Sequence, residues 1–305
     1  MRTAFVSELE RIMKEDQNTF LLTGDIGFSV FDRVKDELSK QYINMGLAEQ
    51  NMIGVASGMA LTGKQIFVYS IIPFIVYRPF EQLRNDVCYQ NLPVRLVGVG
   101  AGFSYSDQGF THHAIEDYGL LRSLPNITIL SPADPLEVSS QMKQINKKTG
   151  PVYIRLGRNG EPTLHNKHDH LKIGKALEIN QGEDILFVTS GSILGEAMKI
   201  SKLLEAEGFG VEILDYHTIK PFDEKTLIDK LSGKKLVATF EEHIISTGLY
   251  SLVAEAILNS GYSVKTIPFG ITDSVFYFAG TREYMLSQYG MNDEQIYQKI
   301  KEAIG

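Results

Sequence analysis

Cysteine is almost absent from this chain of 305 residues, because Cys88 is the only one. A single thiol excludes an internal disulfide framework and a metal cluster held by cysteines. A nucleic-acid surface is not expected either, because the formal net charge is −7. No apolar run reaches the length of a membrane span, and the first residues lack the apolar core of a secretory signal. We therefore expect a cytoplasmic protein that binds neither nucleic acid nor membrane.

The composition that remains is ordinary for a globular protein. Hydrophobic residues make up 43% of the chain and charged residues 22%, a balance that supports a packed core and a solvated surface. The length is sufficient for two cores of common domain size. We therefore expect two domains.

The first half of the sequence alternates short β-rich runs with helical patterns. The predicted strands are Thr19–Thr23, Gln65–Ser70, Val94–Val99, Ile127–Leu130 and Val152–Arg155. The helical patterns between them are Gln50–Leu61, Phe74–Gln90, Ala114–Arg122 and Pro135–Lys147. This alternation favours an α/β fold, with a mostly parallel sheet and helices on both of its faces.

A polar stretch, 159–172, interrupts the alternation and indicates a linker. It contains three histidines, His165, His168 and His170. These histidines have two interpretations, a metal site and a solvated linker, and we favour the solvated linker.

A second α/β domain is predicted after the linker, because the alternation restarts there. Its predicted strands are Asp184–Thr189, Gly210–Leu214, Lys235–Phe240 and Ser263–Ile267. We place the domains at 1–164 and 165–305, and we expect the second sheet to be mostly parallel, with helices on both faces, like the first.

An acidic residue at the start of a predicted apolar helix is the first candidate for chemistry. Glu49 stands in Gly46-Leu-Ala-Glu49-Gln50-Asn-Met52. The helix dipole favours a glutamate in a first turn without any further function. A carboxyl group held at an apolar helix start can also stay partly protonated, because desolvation disfavours its charged form. The residue taken alone leaves both interpretations open.

Two aromatic residues follow the strand predicted at Gln65–Ser70. Phe74 and Tyr77 are three positions apart, so a helix places both rings on one face. Core packing is the simple interpretation of such a pair. An aromatic face also binds a flat heterocycle through its area and its quadrupole.

A pair of histidines ends the segment Gly109-Phe-Thr-His112-His113. A lone histidine is more often structural than catalytic. A histidine placed over a reacting carbonyl can nevertheless donate a hydrogen bond to the carbonyl oxygen and to the alkoxide that develops from it. His112 is the leading candidate for this role.

Together these motifs resemble the pyrimidine-binding half of the thiamine diphosphate enzymes of the transketolase family. In that family the glutamate of a Gly-x-x-Glu-Gln motif shares a proton with the cofactor's aminopyrimidine, and Glu49 matches it. The resemblance implies that Phe74 stacks on the pyrimidine and Tyr77 lines its pocket. It also implies that His112 contacts the substrate carbonyl. Ile71 departs from the pattern, since many relatives have an aromatic residue there.

The resemblance extends over nearly the whole chain. The segments that begin Glu241-Glu-His and Tyr289-Gly-Met are similar to motifs of the family's C-terminal domain. The family's Gly-Asp-Gly stretch, followed by Asn-Asn, is missing. The order of motifs therefore implies the C-terminal subunit of a split transketolase. A separate N-terminal subunit would hold the diphosphate with Mg²⁺ or Ca²⁺, and the complex would be an α2β2 assembly with no metal ligands on this chain.

Two positions implied to line the substrate channel differ from those of ordinary transketolases. Gln108 stands four residues before His112, where those enzymes carry an aspartate that contacts the donor's hydroxyl. Gly100 stands twelve residues before it, where they carry a histidine. The resemblance therefore predicts an atypical sugar or sugar phosphate as the substrate.

Four further residues match family positions that contact the substrate. Arg158 and Arg2 suit a phosphate group, because guanidinium forks match its geometry. Ser29 follows Asp25 by four residues, and His113 adjoins the motif histidine. The resemblance implies that these residues, together with Gln108, contact the sugar.

The function implied by the resemblance is transfer of a two-carbon ketol unit from a ketose to an aldehyde. The main alternative is a decarboxylating relative, similar either to deoxyxylulose-phosphate synthase or to the beta subunit of a 2-oxo acid dehydrogenase complex. An alternative from another class is a non-catalytic assembly subunit. The presence of Glu49, Phe74 and His112 argues against that last alternative.

Overall fold

Two sheets organise the protein, one of seven strands and one of five. The computed structural model describes residues 1–27, 29–146, 149–165, 171–274, 277 and 279–305. Both sheets are mostly parallel and have helices on both faces, so the predicted fold class is confirmed. The linker histidines His168 and His170 lie outside the described residues.

The first sheet contains six strands of the first half and one strand of the second. The strands are β1 (Thr19–Thr23), β2 (Tyr42–Asn44), β3 (Gln65–Ile71), β4 (Val94–Val99), β5 (Thr128–Leu130), β6 (Val152–Leu156) and β10 (Thr218–Lys220). They lie side by side in the order β10-β5-β6-β4-β3-β1-β2. Only β10 runs antiparallel to its neighbour.

Seven helices accompany this sheet in the described part of the first half. They are α1 (Arg2–Glu15), α2 (Asp32–Glu37), α3 (Glu49–Leu61), α4 (Ile72–Val76), α5 (Phe80–Gln82), α6 (Asp117–Arg122) and α7 (Pro135–Ile145). Side chains alternate across the sheet, as the period of a strand requires. On β3, Phe67 and Tyr69 join the core formed with α1 and α7, whereas Ile66 and Val68 join the core formed with α3.

The second sheet lies in the order β12-β11-β8-β9-β7. Its strands are β7 (Leu177–Asn180), β8 (Ile185–Thr189), β9 (Val211–Asp215), β11 (Leu236–Ile244) and β12 (Lys265–Ile271). The helices are α8 (Leu194–Glu205), α9 (Glu224–Asp229), α10 (Leu249–Ser260), α11 (Arg282–Gln288) and α12 (Asp293–Ile304). The edge strand β7 is antiparallel to β9, and the other neighbouring pairs are parallel.

One apolar core is shared by the two sheets. Leu22 and Val68 of the first sheet belong to the same buried cluster as Leu186 and Val237 of the second. The strand β10 also crosses from the second half to pair with β5. The two halves are therefore packed as one body, and the edge of the first sheet is held in a fixed position relative to the second domain.

The helix predicted at Phe74–Gln90 is broken into pieces. It consists of α4, α5 and a π-helical turn, Leu83–Cys88. Pro79 lies at the break, as the N-cap of α5. Proline has no N–H to donate, and its ring clashes with the carbonyl four residues earlier, so a regular helix does not continue through it.

The prediction of a solvated linker at His165 is wrong. His165 is only 6% exposed. Its imidazole lies among acidic side chains of both domains. Among the described helices, none combines the length and the apolar character that a membrane span requires.

Candidate active site

Glu49 is the first residue of α3, at the edge of the first sheet where β1 and β3 end. The residue is only 2% exposed. The Ser70 hydroxyl donates to its Oε1 over 3.4 Å. Gly24 lies on the other side, where an added Cβ would stand 3.5 Å from the same oxygen. The ends of two adjacent parallel strands thus enclose the carboxylate at the helix start.

The other carboxylate oxygen of Glu49 is bound by Arg78, a residue that sequence reasoning missed. Its Nη1 donates to Oε2 over 3.0 Å. The carbon of the guanidinium lies 4.2 Å from the centre of the Phe74 ring. The Arg78 side chain is 51% exposed, whereas that of Glu49 is 1% exposed. A planar cation therefore lies between a buried carboxylate and an aromatic face. The only sequence signal was its place directly after Tyr77.

Phe74 and Tyr77 lie on the short helical stretch that follows β3. The Phe74 ring meets the His112 ring edge to face, with 5.2 Å between centroids. The Tyr77 hydroxyl donates to Glu116 Oε2 over 2.7 Å. Burial raises the pKa of Tyr77, and the acidic neighbours Asp117 and Glu116 add to the shift. Tyr77 is therefore a fixed hydrogen-bond donor that orients one wall of the site.

His112 ends a 3-10 turn, Phe110–His112, and adjoins Phe74. Its Nδ1 lies 3.0 Å from Thr111 Oγ1. On the side away from Glu49 the ring approaches Tyr105, with 6.5 Å between centroids. The structure thus brings Glu49, Phe74 and His112 to one edge of the first sheet, although they lie far apart in sequence.

His113 points elsewhere and is only 4% exposed. Its ring packs edge to face against Phe103 at 5.2 Å and against Phe110 at 6.1 Å. Burial lowers the pKa of His113, so a neutral imidazole is favoured. His113 is separated from the Phe74 face that its neighbour His112 contacts.

A second polar group continues from His112 towards the solvent. The guanidinium of Arg158 lies 4.9 Å from the centre of the Tyr105 ring, and its Nη1 is 3.4 Å from Asp107 Oδ1. The Gln108 amide donates to the other oxygen of Asp107 over 3.2 Å. Arg158, Gln108 and His112 therefore surround Tyr105 as one exposed polar surface.

Arg2 approaches this surface from α1. Its charge opposes the rise in pKa that burial causes at Tyr105 and Tyr69, and it also hydrogen-bonds Tyr69. Arg158 acts on Tyr105 in the same sense. Two arginines from opposite ends of the first domain therefore lie around one tyrosine.

Gly100 has a direct structural reason to be glycine. Its φ is +96°, and an added Cβ would overlap with the Tyr105 ring. The ring thus fills the volume that a side chain at position 100 would need. Ser29 is exposed, also with a positive φ of 60°, on the loop after β1. This loop is anchored where Asn44 donates to Asp25 over 2.9 Å.

The largest surface cavity lies away from Glu49. It has a volume of about 600 Å³ between the two domains. Arg158, Arg282 and Lys199 line it, and Glu49, Phe74 and His112 do not. We place the candidate site at the Glu49 edge, because an open edge fits a site completed by another chain.

Comparison with known proteins identifies the family. The family model described as "Transketolase, pyrimidine binding domain" matches residues 1–162. The one described as "Transketolase, C-terminal domain" matches residues 174–296. The chain belongs to the transketolase family, which confirms the resemblance predicted from its motifs.

Individual relatives are subunits of split enzymes. Over 85% of this chain and 84% of its own length, an apulose-4-phosphate transketolase subunit of Actinobacillus succinogenes is 34% identical. The "6-deoxy-6-sulfo-D-fructose transketolase subunit SqwH" of a Clostridium species is 31% identical over 99% of this chain and 94% of its own. A solved structure described as "Split gene transketolase, inactive beta4 tetramer" is similar with a TM-score of 0.88 and 31% identity, covering 99% of this chain and 97% of that one.

Proposed function

We propose that this chain is the C-terminal subunit of a two-chain, thiamine diphosphate-dependent transketolase. The reaction is transfer of a two-carbon ketol unit from a ketose to an aldehyde. The observation that carries the proposal is the position of the Arg78 guanidinium, 3.0 Å from the Glu49 carboxylate and 4.2 Å from the centre of the Phe74 ring. A planar nitrogen-containing group already fits between these two side chains.

The fit of the guanidinium indicates how the same residues would hold an aminopyrimidine. Like the guanidinium, that ring is flat and polar at its edge, and it can bond to a carboxyl group while one face lies on an aromatic ring. Glu49 would hydrogen-bond its ring nitrogen, Phe74 would stack on it, and Tyr77 would line the pocket through its bond to Glu116. Arg78 must leave this position when the cofactor binds.

The bound cofactor supplies the electron sink that carbon–carbon cleavage requires. Glu49 holds or releases a proton at the pyrimidine nitrogen, and burial of its carboxyl excludes water from that exchange. His112 is held beside Phe74 and donates to the substrate's carbonyl oxygen as charge develops there. Neither side chain lies on a mobile terminus, since each follows a strand of the first sheet.

The substrate we propose is an anionic ketose other than the standard pentose phosphates. Arg158 and Arg2 lie around Tyr105 and would bind its phosphate or sulfonate group. Gln108, Ser29 and His113 remain the proposed additional contacts. The absence of a side chain at Gly100 and the Tyr105 ring that fills its place change the shape of the channel. The names of the two relatives, which concern unusual sugars, agree with this choice.

The partner we propose is an N-terminal transketolase subunit that carries the diphosphate site and its Mg²⁺ or Ca²⁺. Support comes from the relatives, because this chain covers nearly the full length of proteins named as split subunits. An α2β2 assembly, a domain boundary at 164/165 and a cytoplasmic location belong to the same proposal. The similar solved structure is an inactive beta4 tetramer, and it favours an alternative state in which this chain self-assembles without activity.

Calorimetry and turnover together test the proposal. The chain alone should show no micromolar binding of thiamine diphosphate with Mg²⁺, and the same chain co-purified with the N-terminal subunit of its own genome should bind it. The complex should then release an aldehyde product from 6-deoxy-6-sulfofructose or apulose 4-phosphate, without carbon dioxide. Micromolar binding by the single chain contradicts the split arrangement. Turnover of pyruvate with carbon dioxide release supports the decarboxylating alternative.

A further inference from the structure

A second polar cluster is buried between the two domains, away from Glu49. It contains Asp134 and Glu137 at the start of α7, His165 after β6, and Asp215 at the end of β9. Their side chains are at most 1% exposed. Three acidic groups and one imidazole therefore lie beyond the reach of solvent, in segments that belong to both domains.

The hydrogen bonds of this cluster are incomplete. Asp134 accepts from the backbone N–H groups of Glu137, Leu164 and His165. Glu137 Oε2 accepts from the N–H of Ala133, but its Oε1 has no hydrogen-bond donor within the described ranges.

Asp215 is the sharper case in the same cluster. Neither of its carboxylate oxygens has a hydrogen-bond donor among the residues that the structure describes. A buried carboxylate without donors is strongly disfavoured unless a cation neutralises it. Both of these oxygens and the free oxygen of Glu137 are available to one ion.

The distances match those between the ligands of a metal ion. His165 Nε2 lies 3.5 Å from Glu137 Oε1 and 3.4 Å from Asp215 Oδ2. Bonds of about 2.0–2.2 Å in a tetrahedral site place neighbouring ligand atoms about 3.3–3.6 Å apart. The three ligand atoms all lie within 4.8 Å of one another. One ion can therefore contact all three side chains with small adjustments.

The other imidazole nitrogen has the partner that metal-bound histidines have. His165 Nδ1 lies 3.1 Å from Asp134 Oδ2. A carboxylate on the far nitrogen fixes the orientation of a metal-binding imidazole and makes it a better ligand. Asp134 is itself held by three backbone donors and is thus a rigid support for the ring.

We propose that Glu137, His165 and Asp215 form a structural site for one divalent transition-metal ion. The mixed nitrogen and oxygen ligands suit zinc better than Mg²⁺ or Ca²⁺, which take oxygen ligands. Asp215 supplies a fourth contact through its second oxygen. The ion ties α7 and the linker to the second sheet, and it is separate from the metal that accompanies the diphosphate on the partner chain.

Protons alone are the competing way to balance this cluster. Burial lowers the pKa of His165, but its contacts with Asp134 and Asp215 outweigh that effect and raise it to about 9. Burial and the charge of Asp215 raise the pKa of Glu137. A charged imidazole and a protonated Glu137 would then replace the metal ion, so the test must distinguish metal from protons.

Metal content of the purified chain is the first measurement. Protein made in zinc-supplemented medium and desalted should contain about one zinc ion per chain. Asp215→Asn keeps the shape of the side chain, and both it and His165→Asn should lower the content at least about tenfold. The paired control, His168→Asn with His170→Asn, should leave it unchanged. Loss of zinc in the control, with retention in Asp215→Asn, would overturn the assignment.

Melting with a chelator is the second measurement, and it keeps the test decisive if a variant folds poorly. Dipicolinate should lower the melting temperature of the unaltered chain by about 5 °C or more, because a ligand bound only by the native state stabilises it. Added zinc should restore the melting temperature. Asp215→Asn should not respond to either reagent. A zinc content at background, with melting unaffected by dipicolinate, would show that protons hold the cluster.

Discussion

Glu49 and Asp117 are both buried carboxylates that contact an arginine, but the surroundings of the two ion pairs differ. The guanidinium of Arg78, which binds Glu49, is half exposed. Arg155, which binds Asp117 over 2.9 Å, is 3% exposed. The first pair lies at an open edge of the sheet, and the second is enclosed between the two domains.

The enclosed pair is supported on every side. Arg155 also donates to the backbone carbonyls of Ala114 and Glu242, at 2.6 and 3.0 Å. Tyr153 donates to the same oxygen of Asp117 that Arg155 binds. Because Glu242 belongs to the second domain, these bonds join the domains.

The open pair has no comparable support. Of the described contacts, Arg78 makes one hydrogen bond to Glu49 and lies on the Phe74 ring. A half-exposed guanidinium can move into water with little loss. The comparison teaches that the same ion pair can serve as a fixed joint or as an exchangeable contact, depending on the number of bonds around it.

The largest effect should come from the open pair, and it should be on activity. Glu49→Gln keeps the shape of the side chain but cannot share a proton with the pyrimidine nitrogen. Loss of a proton-transfer group lowers a rate by about 10²–10⁴-fold, so turnover of the two-chain complex should fall by this factor while its urea unfolding curve changes little. Glu81→Gln, an exposed glutamate on the neighbouring helix α5, is the matched control. Turnover within a few-fold of the unaltered complex would show that Glu49 has no catalytic role.

The enclosed pair should show the reverse result. Asp117→Asn leaves the buried Arg155 without its counter-charge, and removing one partner of a buried pair destabilises a protein by about 3–5 kcal/mol. The free energy of unfolding from urea titration should fall by this amount. Glu49→Gln is the matched comparison, because its arginine can reach solvent. Equal losses of stability in the two variants would remove the distinction between the pairs.

Acid should destabilise the enclosed region through His243. Its Nε2 accepts from the N–H of Tyr118 over 3.0 Å, and burial lowers its pKa to about 4 while nearby Asp117 and Arg155 act in opposite directions. A histidine with a lowered pKa stabilises the fold above its unfolded value of 6.5, and this stability is lost as the pH falls towards 4.

The loss attributable to His243 should be about 2 kcal/mol between pH 6.5 and pH 5, since each pKa unit corresponds to about 1.4 kcal/mol. Urea titrations at both pH values measure it, and His243→Gln should show a correspondingly smaller change between them. An equal pH dependence in this variant would assign the acid sensitivity to other groups.

The fold could be predicted from the sequence where strands are apolar runs between helical patterns. Val94–Val99 is predicted to the residue, because a buried parallel strand is apolar throughout. The edge strands β2, β7 and β10 were missed, because short edge strands lack that signal. The break at Pro79 was also missed, since the helical periodicity on either side of it outweighed the proline.

The site was predicted where a motif fixes the role and missed where only the fold brings residues together. Glu49, Phe74 and His112 lie at one edge, as the resemblance implied, but their roles stay predictions. Arg78 gave no signal because an exposed arginine is common. His165 was misjudged because a polar linker is normally solvated, and only the fold shows that Asp134 and Asp215 enclose it.

The smallest effect should come from removing Arg78, and it sharpens the comparison most directly. If the guanidinium only fills the pyrimidine's place, Arg78→Ala should tighten binding of thiamine diphosphate to the two-chain complex, by at most about tenfold, because about 1.4 kcal/mol is released for each factor of ten. Arg78→Lys keeps the charge but not the planar fork and should fall between the two. Stability should change by about 1 kcal/mol or less, since half-exposed pairs contribute little. Calorimetry of the three complexes decides the point. Weaker binding in Arg78→Ala would mean that the arginine supports the cofactor, and Glu49–Arg78 would then be a fixed joint like Asp117–Arg155.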